Sequence, residues 1–86
     1  MRWNDVKKHY PHRWLLVEAI RARSEGGKRL LDEVAVVNAF SDGGAAMRGY
    51  LQLHRSSPDR EFYVLHTDRE DPDIQERTWL GLREAR

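Results

Sequence analysis

Cysteine is absent from the 86 residues. That absence excludes disulfide frameworks, thiolate zinc sites and cysteine nucleophiles together. No apolar run follows Met1, and no segment approaches the ~20 apolar residues that cross a bilayer. The expected compartment is a reduced cytoplasm, with no membrane partner. Charge of one sign is also missing: 15 basic and 14 acidic residues leave a formal net charge of +1. No bulk electrostatic attraction therefore draws the chain onto nucleic acid or an anionic surface. Twelve of the 15 basic residues are Arg, a bias with no functional weight of its own.

The chain has 40% apolar and 34% charged residues, too apolar for disorder and polar enough to dissolve. These values imply one small domain, with a core modest enough to favour a partner or self-association. Residues 1–12 read as an N-terminal arm. Trp3 and Tyr10 can pack it down, Asn4 or Asp5 can cap a single helical turn, and Pro11 stops it. Residues 13–86 form the expected domain.

The centre of that domain is the stretch 14–40, two long strands folded back across Glu25-Gly26-Gly27-Lys28. The glycines supply the positive φ angles of a tight hairpin turn. On the first strand Trp14, Leu16, Glu18 and Ile20 alternate with Leu15, Val17, Ala19 and Arg21. Both sides begin apolar, as in a strand covered on both faces at one end. On the second, Leu30, Val34, Val36 and Phe40 share one side, and Leu31, Ala35, Val37 and Ala39 the other.

Ser41 or Asp42 then caps an amphipathic helix carrying Ala46, Met47, Tyr50, Leu53 and His54 on one stripe. Gly49 within it implies either a cost or a close approach. Glu61–Thr67 reads as a third strand, 68–76 as a polar acidic connection, and 77–83 as a short fourth strand. The order β-β-α-β-β predicts an α+β fold, an antiparallel or mixed sheet with one helix across it. A right-handed crossover would return the third strand parallel to the second and beside the first. One helix cannot cover both apolar faces of that sheet, so the arm or another chain must cover the remainder.

Tyr10-Pro11-x-x-Trp14, Leu15-Leu16-Val17-Glu18, Leu65-His66-Thr67 and Arg77-x-Trp79-x-Gly81-x-Arg83 carry a resemblance. Over residues 10–83 the chain resembles a small family of uncharacterised bacterial proteins. The resemblance implies a compact α+β domain of bacterial origin, and it transfers no activity.

Candidate sites are few. His9-x-x-His12 has ligand-like spacing, but Pro11 breaks the helical face that would aim both rings at one metal. His66 with Asp68, Glu70, Asp71 and Asp73 is the densest cluster of potential ligands and acid–base groups, the basis of a metal-dependent alternative. It lacks the spacing and central glycine of a calcium loop, and reads first as a solvated turn. His66 itself reads first as a core histidine bonded to backbone. Glu18 reads as paired with Arg29 or an arginine on the third strand's partner, ahead of a buried carboxylate with a raised pKa. No cofactor and no catalytic residue is expected, and the chain reads as non-enzymatic.

A nucleic-acid alternative rests on the basic aromatic arm: Arg2, Lys7, Lys8, His9, His12 and Arg13 with Trp3, Tyr10 and Trp14 to stack on bases. Arg21, Arg23, Lys28 and Arg29 would supply a second basic patch. The favoured expectation is a protein-interaction or self-associating module, a homodimer included. Its expected contact residues are Trp3, Tyr10, Trp14, Trp79, Arg21 and Arg23, residue types enriched at interfaces.

Overall fold

The computed structural model describes residues 1–75. In chain order they form α1 (Trp3–His9), β1 (Trp14–Glu25), β2 (Lys28–Phe40), α2 (Gly43–Ser56), β3 (Phe62–His66) and β4 (Ile74–Gln75). The four strands make one antiparallel sheet in the order β3-β1-β2-β4. The expected α+β fold is present. β3 lies beside β1 and runs parallel to β2, so β1 occupies the interior of the sheet. The strand expected over 77–83 lies outside the described residues. The short β4 falls inside the stretch expected to be a plain acidic connection.

The β1–β2 hairpin closes with Glu25 opposite Lys28, and Gly26 and Gly27 carry φ of 59° and 77°. Two consecutive positive φ values match the right-handed twist of the flanking strands, which explains the glycine pair. Strict alternation fails further along. Register shifts leave Ile20 on β1 and Val37 and Asp32 on β2 as extra residues. Each bulge flips the facing of every later residue on its strand. Leu31 and Val34 therefore share a face, although alternation separates them. Ile20 and Val37 are turned outward, 56% and 41% exposed.

The first face of the sheet carries Leu15, Val17, Leu31, Val34 and Leu65, and α1 covers it with Trp3 and Val6. The N-terminal segment, expected as an arm packed down by Trp3 and Tyr10, sets both rings against this face. It is a seven-residue helix built into the main core. The cause is local: Trp3 and Val6, three apart, lie on one helical face. Asp5 in the first turn and Lys7, Lys8 and His9 in the last suit the helix dipole. Neither Asn4 nor Asp5 is the cap; Arg2 holds that position, without a side-chain cap bond. Pro11 ends the helix as expected.

Two further bonds fasten this segment. Trp3 Nε1 donates to the Arg69 carbonyl at 2.9 Å. Met1 exchanges backbone bonds with Val34, whose N–H donates to the Met1 carbonyl at 2.8 Å.

The second face carries Trp14, Leu16, Phe40 and Phe62, and α2 lies across it. Asp42 caps α2, accepting from the Ala45 N–H at 2.8 Å. Gly43 and Gly49 allow the approach: a Cβ would stand 3.2 Å from the Trp14 ring at Gly43, and 3.1 Å from Phe40 Cζ at Gly49. Leu15, Leu16, Val17 and Leu65 are at most 1% exposed. Burying each of these side chains contributes about 1.5–3 kcal/mol.

Candidate interaction surface

The two edges of the sheet are treated differently. On the β2 side, β4 pairs with Lys28 and Arg29, and Met1 bridges Val34. On the β3 side, no strand among the described residues lies beyond β3. The Glu61 carbonyl accepts from Ala19, and the Thr67 N–H donates to Arg13. Odd-numbered backbone groups of this strand thus face β1. Alternation then turns the N–H and C=O groups of Phe62, Val64 and His66 to the outer edge.

A cleft of about 560 Å³ runs along that edge. Met47, Tyr50 and His54 of α2 form one wall; Arg29, Ser24 and Ile74 form the other, with β3 as floor. The polar groups around it engage one another. Arg29 grips Glu61 with two bonds, Nε to Oε2 at 2.9 Å and Nη2 to Oε1 at 3.0 Å, and the Tyr63 hydroxyl donates to Glu61 Oε2. The Arg29 guanidinium holds the Glu61 carboxyl below the usual carboxylate range. Burial, reinforced by Glu61, pushes the Tyr63 phenol up. Arg60 likewise makes two bonds to Glu18, at 3.0 and 2.6 Å, and lies over the Phe62 ring at 4.9 Å. The hydrogen bonds from Arg60 lower the Glu18 carboxyl. Its partner is thus Arg60, just before β3, and neither Arg29 nor an arginine on the strand beside β3. With these groups mutually engaged, the cleft presents aromatic and aliphatic side chains and a strand edge.

The residues expected to make contacts do not converge here. Trp3 is 7% exposed and belongs to the core, which removes it from the accessible surface. Tyr10 packs against the same core. Trp14 lies on the opposite sheet face, half-buried, its ring edge-on to His66 at 5.0 Å. Arg21 and Arg23 are exposed on the distal hairpin, and Arg23 bonds Asp32 and Glu25. Trp79 lies outside the described residues.

Burial of Trp3 also takes one stacking ring from the nucleic-acid alternative. The Arg23 and Arg29 ion pairs neutralise half of its second basic patch. At the acidic turn, His66 Nδ1 accepts from the Asp68 N–H at 3.0 Å, the backbone bond expected of a structural histidine. His12 Nδ1 meets Asp68 Oδ1 at 2.8 Å, and Asp71 accepts from the Asp73 N–H. No three His, Asp or Glu side chains among the described residues are grouped to hold a metal.

Sequence reasoning missed the Arg29–Glu61–Tyr63 set. Glu61-x-Tyr63 was visible as a same-face pair on a strand. Arg29, 32 residues away, becomes its partner only because the bulged hairpin carries its distal end to β3. The chain matches no protein-family model, no curated protein and no solved structure. No helix among the described residues is long and apolar enough to cross a membrane.

Proposed function

We propose that this protein is a non-enzymatic interaction module, a domain that binds another protein chain or itself, acting in the cytoplasm. The observation that carries the reading is the cleft beside β3. Its wall residues Met47, Tyr50 and Ile74 and its floor residues Phe62 and Val64 are apolar or aromatic, and its charged groups already hold partners. Such a surface offers a partner apolar area and strand-edge hydrogen bonds, the two elements of recognition by strand addition. An unpaired edge is otherwise a liability that folds cover or charge.

The test is affinity capture of the whole protein with nuclease present, followed by cross-linking mass spectrometry of every recovered complex. Cross-links from Met47, Tyr50 or the β3 flanks to a protein chain, lost in a Met47→Glu/Tyr50→Ala variant, are the expected result. A chain that stays monomeric at high micromolar concentration and recovers no protein, or recovers only nucleic acid, would end this reading.

A further inference from the structure

The geometry points to a second copy of this chain as the occupant of the β3 edge, forming a two-fold dimer with one continuous sheet. This inference rests on the interaction reading and specifies its partner. Three observations converge. The first is the phase of the strand. The outward backbone groups are those of Phe62, Val64 and His66, symmetric about Val64. A two-fold axis through Val64, perpendicular to the sheet, sets Val64 against Val64 of the second copy as a hydrogen-bonded pair. The His66 backbone N–H then donates to the Phe62 carbonyl of the second copy, and the reverse. The His66 carbonyl already accepts from Arg69 at 3.1 Å and retains one lone pair. Side chains fall into register too: Phe62 meets His66 of the second copy on one face, and Tyr63 meets Leu65 on the other.

The second observation is charge. The strand is flanked by the same triplet on both sides, Asp59-Arg60-Glu61 before it and Asp68-Arg69-Glu70 after it. Antiparallel pairing about Val64 brings Arg60 towards Asp68 of the second copy and Asp59 towards Arg69. Parallel pairing would bring like charges together instead. Arg60 and Asp68 are accessible for this, their side chains 50% and 60% exposed. Arg60 keeps donors beyond the two it gives Glu18, because a guanidinium carries five.

The third is the apolar surface left on α2. Met47 and Leu51 are 47% and 50% exposed and stand four residues apart, on one helical face. Met47 also lines the cleft. The same axis sets α2 and its copy side by side on one face of the enlarged sheet, where Met47 and Leu51 can cover each other. One symmetry operation thus covers the edge left open among the described residues, the cleft and the helical stripe.

The experiment is sedimentation velocity of the full chain over a concentration series, alongside two variants. Val64→Pro removes an outward N–H while leaving the β1–β3 ladder its donors, which confines the damage to the edge. Met47→Glu/Leu51→Glu alters exposed helical positions and cannot expose core. The wild type should approach twice the 10.1 kDa chain mass. Both variants should remain at the single-chain mass with unchanged circular dichroism. Should Val64→Pro fail to fold, the helix variant decides alone. A wild-type dimer that persists in both variants overturns the β3 interface and leaves the self-association reading standing. A wild type that is monomeric throughout overturns the dimer. In that case the interaction reading survives only through the cross-links to another chain described above.

Discussion

Trp3→Ala separates a helix built into the core from an arm resting on it. The indole is 7% exposed, touches the cluster formed by Val6, Leu15, Leu31, Val34 and Leu65, and donates to the Arg69 carbonyl. Truncating a buried Trp costs about 3–5 kcal/mol through lost transfer energy and the cavity left behind. A domain of this size has about 4–13 kcal/mol in total, so the variant should lose a large share of its stability. With a urea slope of about 1–2 kcal/mol per molar, the unfolding midpoint should fall by about 1.5 M or more. Trp3→Phe keeps most of the apolar contact and loses the donor to Arg69; its expected cost is about 1–2 kcal/mol. Lys8→Ala, on the exposed side of the same helix, should stay within about 0.5 kcal/mol. Equilibrium urea unfolding followed by far-ultraviolet circular dichroism reads all three. If Trp3→Ala shifts the midpoint no more than Lys8→Ala, the N-terminal segment is an arm after all.

Gly27→Ala places a side chain at φ 77° and should destabilise by about 1–2 kcal/mol in thermal or urea unfolding; no loss would mean the turn relaxes to another type. Gly49→Ala gains about 1 kcal/mol of helix propensity but sets its Cβ 3.1 Å from Phe40 Cζ. Overpacking there costs about 1–3 kcal/mol, so a net loss of up to about 2 kcal/mol is expected, and a stabilised variant would show that the Phe40 ring yields. Glu61 has a depressed folded pKa, so its contribution is full above about pH 4.3 and fades as pH falls through the folded value. Glu61→Gln should therefore be the less stable protein at neutral pH and should converge with wild type in acid; a constant gap across the titration would contradict the ion pair. Tyr63 has a raised folded pKa, so its contribution is full below about pH 10 and is lost as pH rises further. Tyr63→Phe should flatten that alkaline decline, and an unchanged slope would remove Tyr63 as its source.

Glu25-Gly26-Gly27-Lys28 announces its turn because only one backbone geometry suits two adjacent positive φ residues in a hairpin. Asp42 before a stripe of apolar residues marks the start of α2 for an equally local reason. The interior position of β1 follows from crossover topology and two apolar sides. The features beyond reach were non-local. No residue type marks Ile20, Asp32 or Val37 as bulged, yet those positions decide which of Leu31, Val34 and Val36 share a face. The Tyr10-Pro11 break made α1 look too short to matter; its worth comes from Val34 and Leu65, far along the chain, which seat Trp3 and Val6. The cleft was illegible for the same reason, since its walls come from α2, the hairpin tip and β4.

The bond from Trp3 to Arg69 spans 66 residues. A chain made from its N-terminus completes α1 well before Leu65 and Arg69, the most distant residues that seat it. At ~5–20 residues per second, Trp3 waits about 3–13 s for Arg69 to be polymerised, with an indole and a nearby valine in need of cover. The β1–β2 hairpin, whose strands are joined by a two-residue turn, needs no such wait. Synthesis therefore exposes the N-terminal helix to whatever binds nascent chains while the rest of its own fold is still unmade.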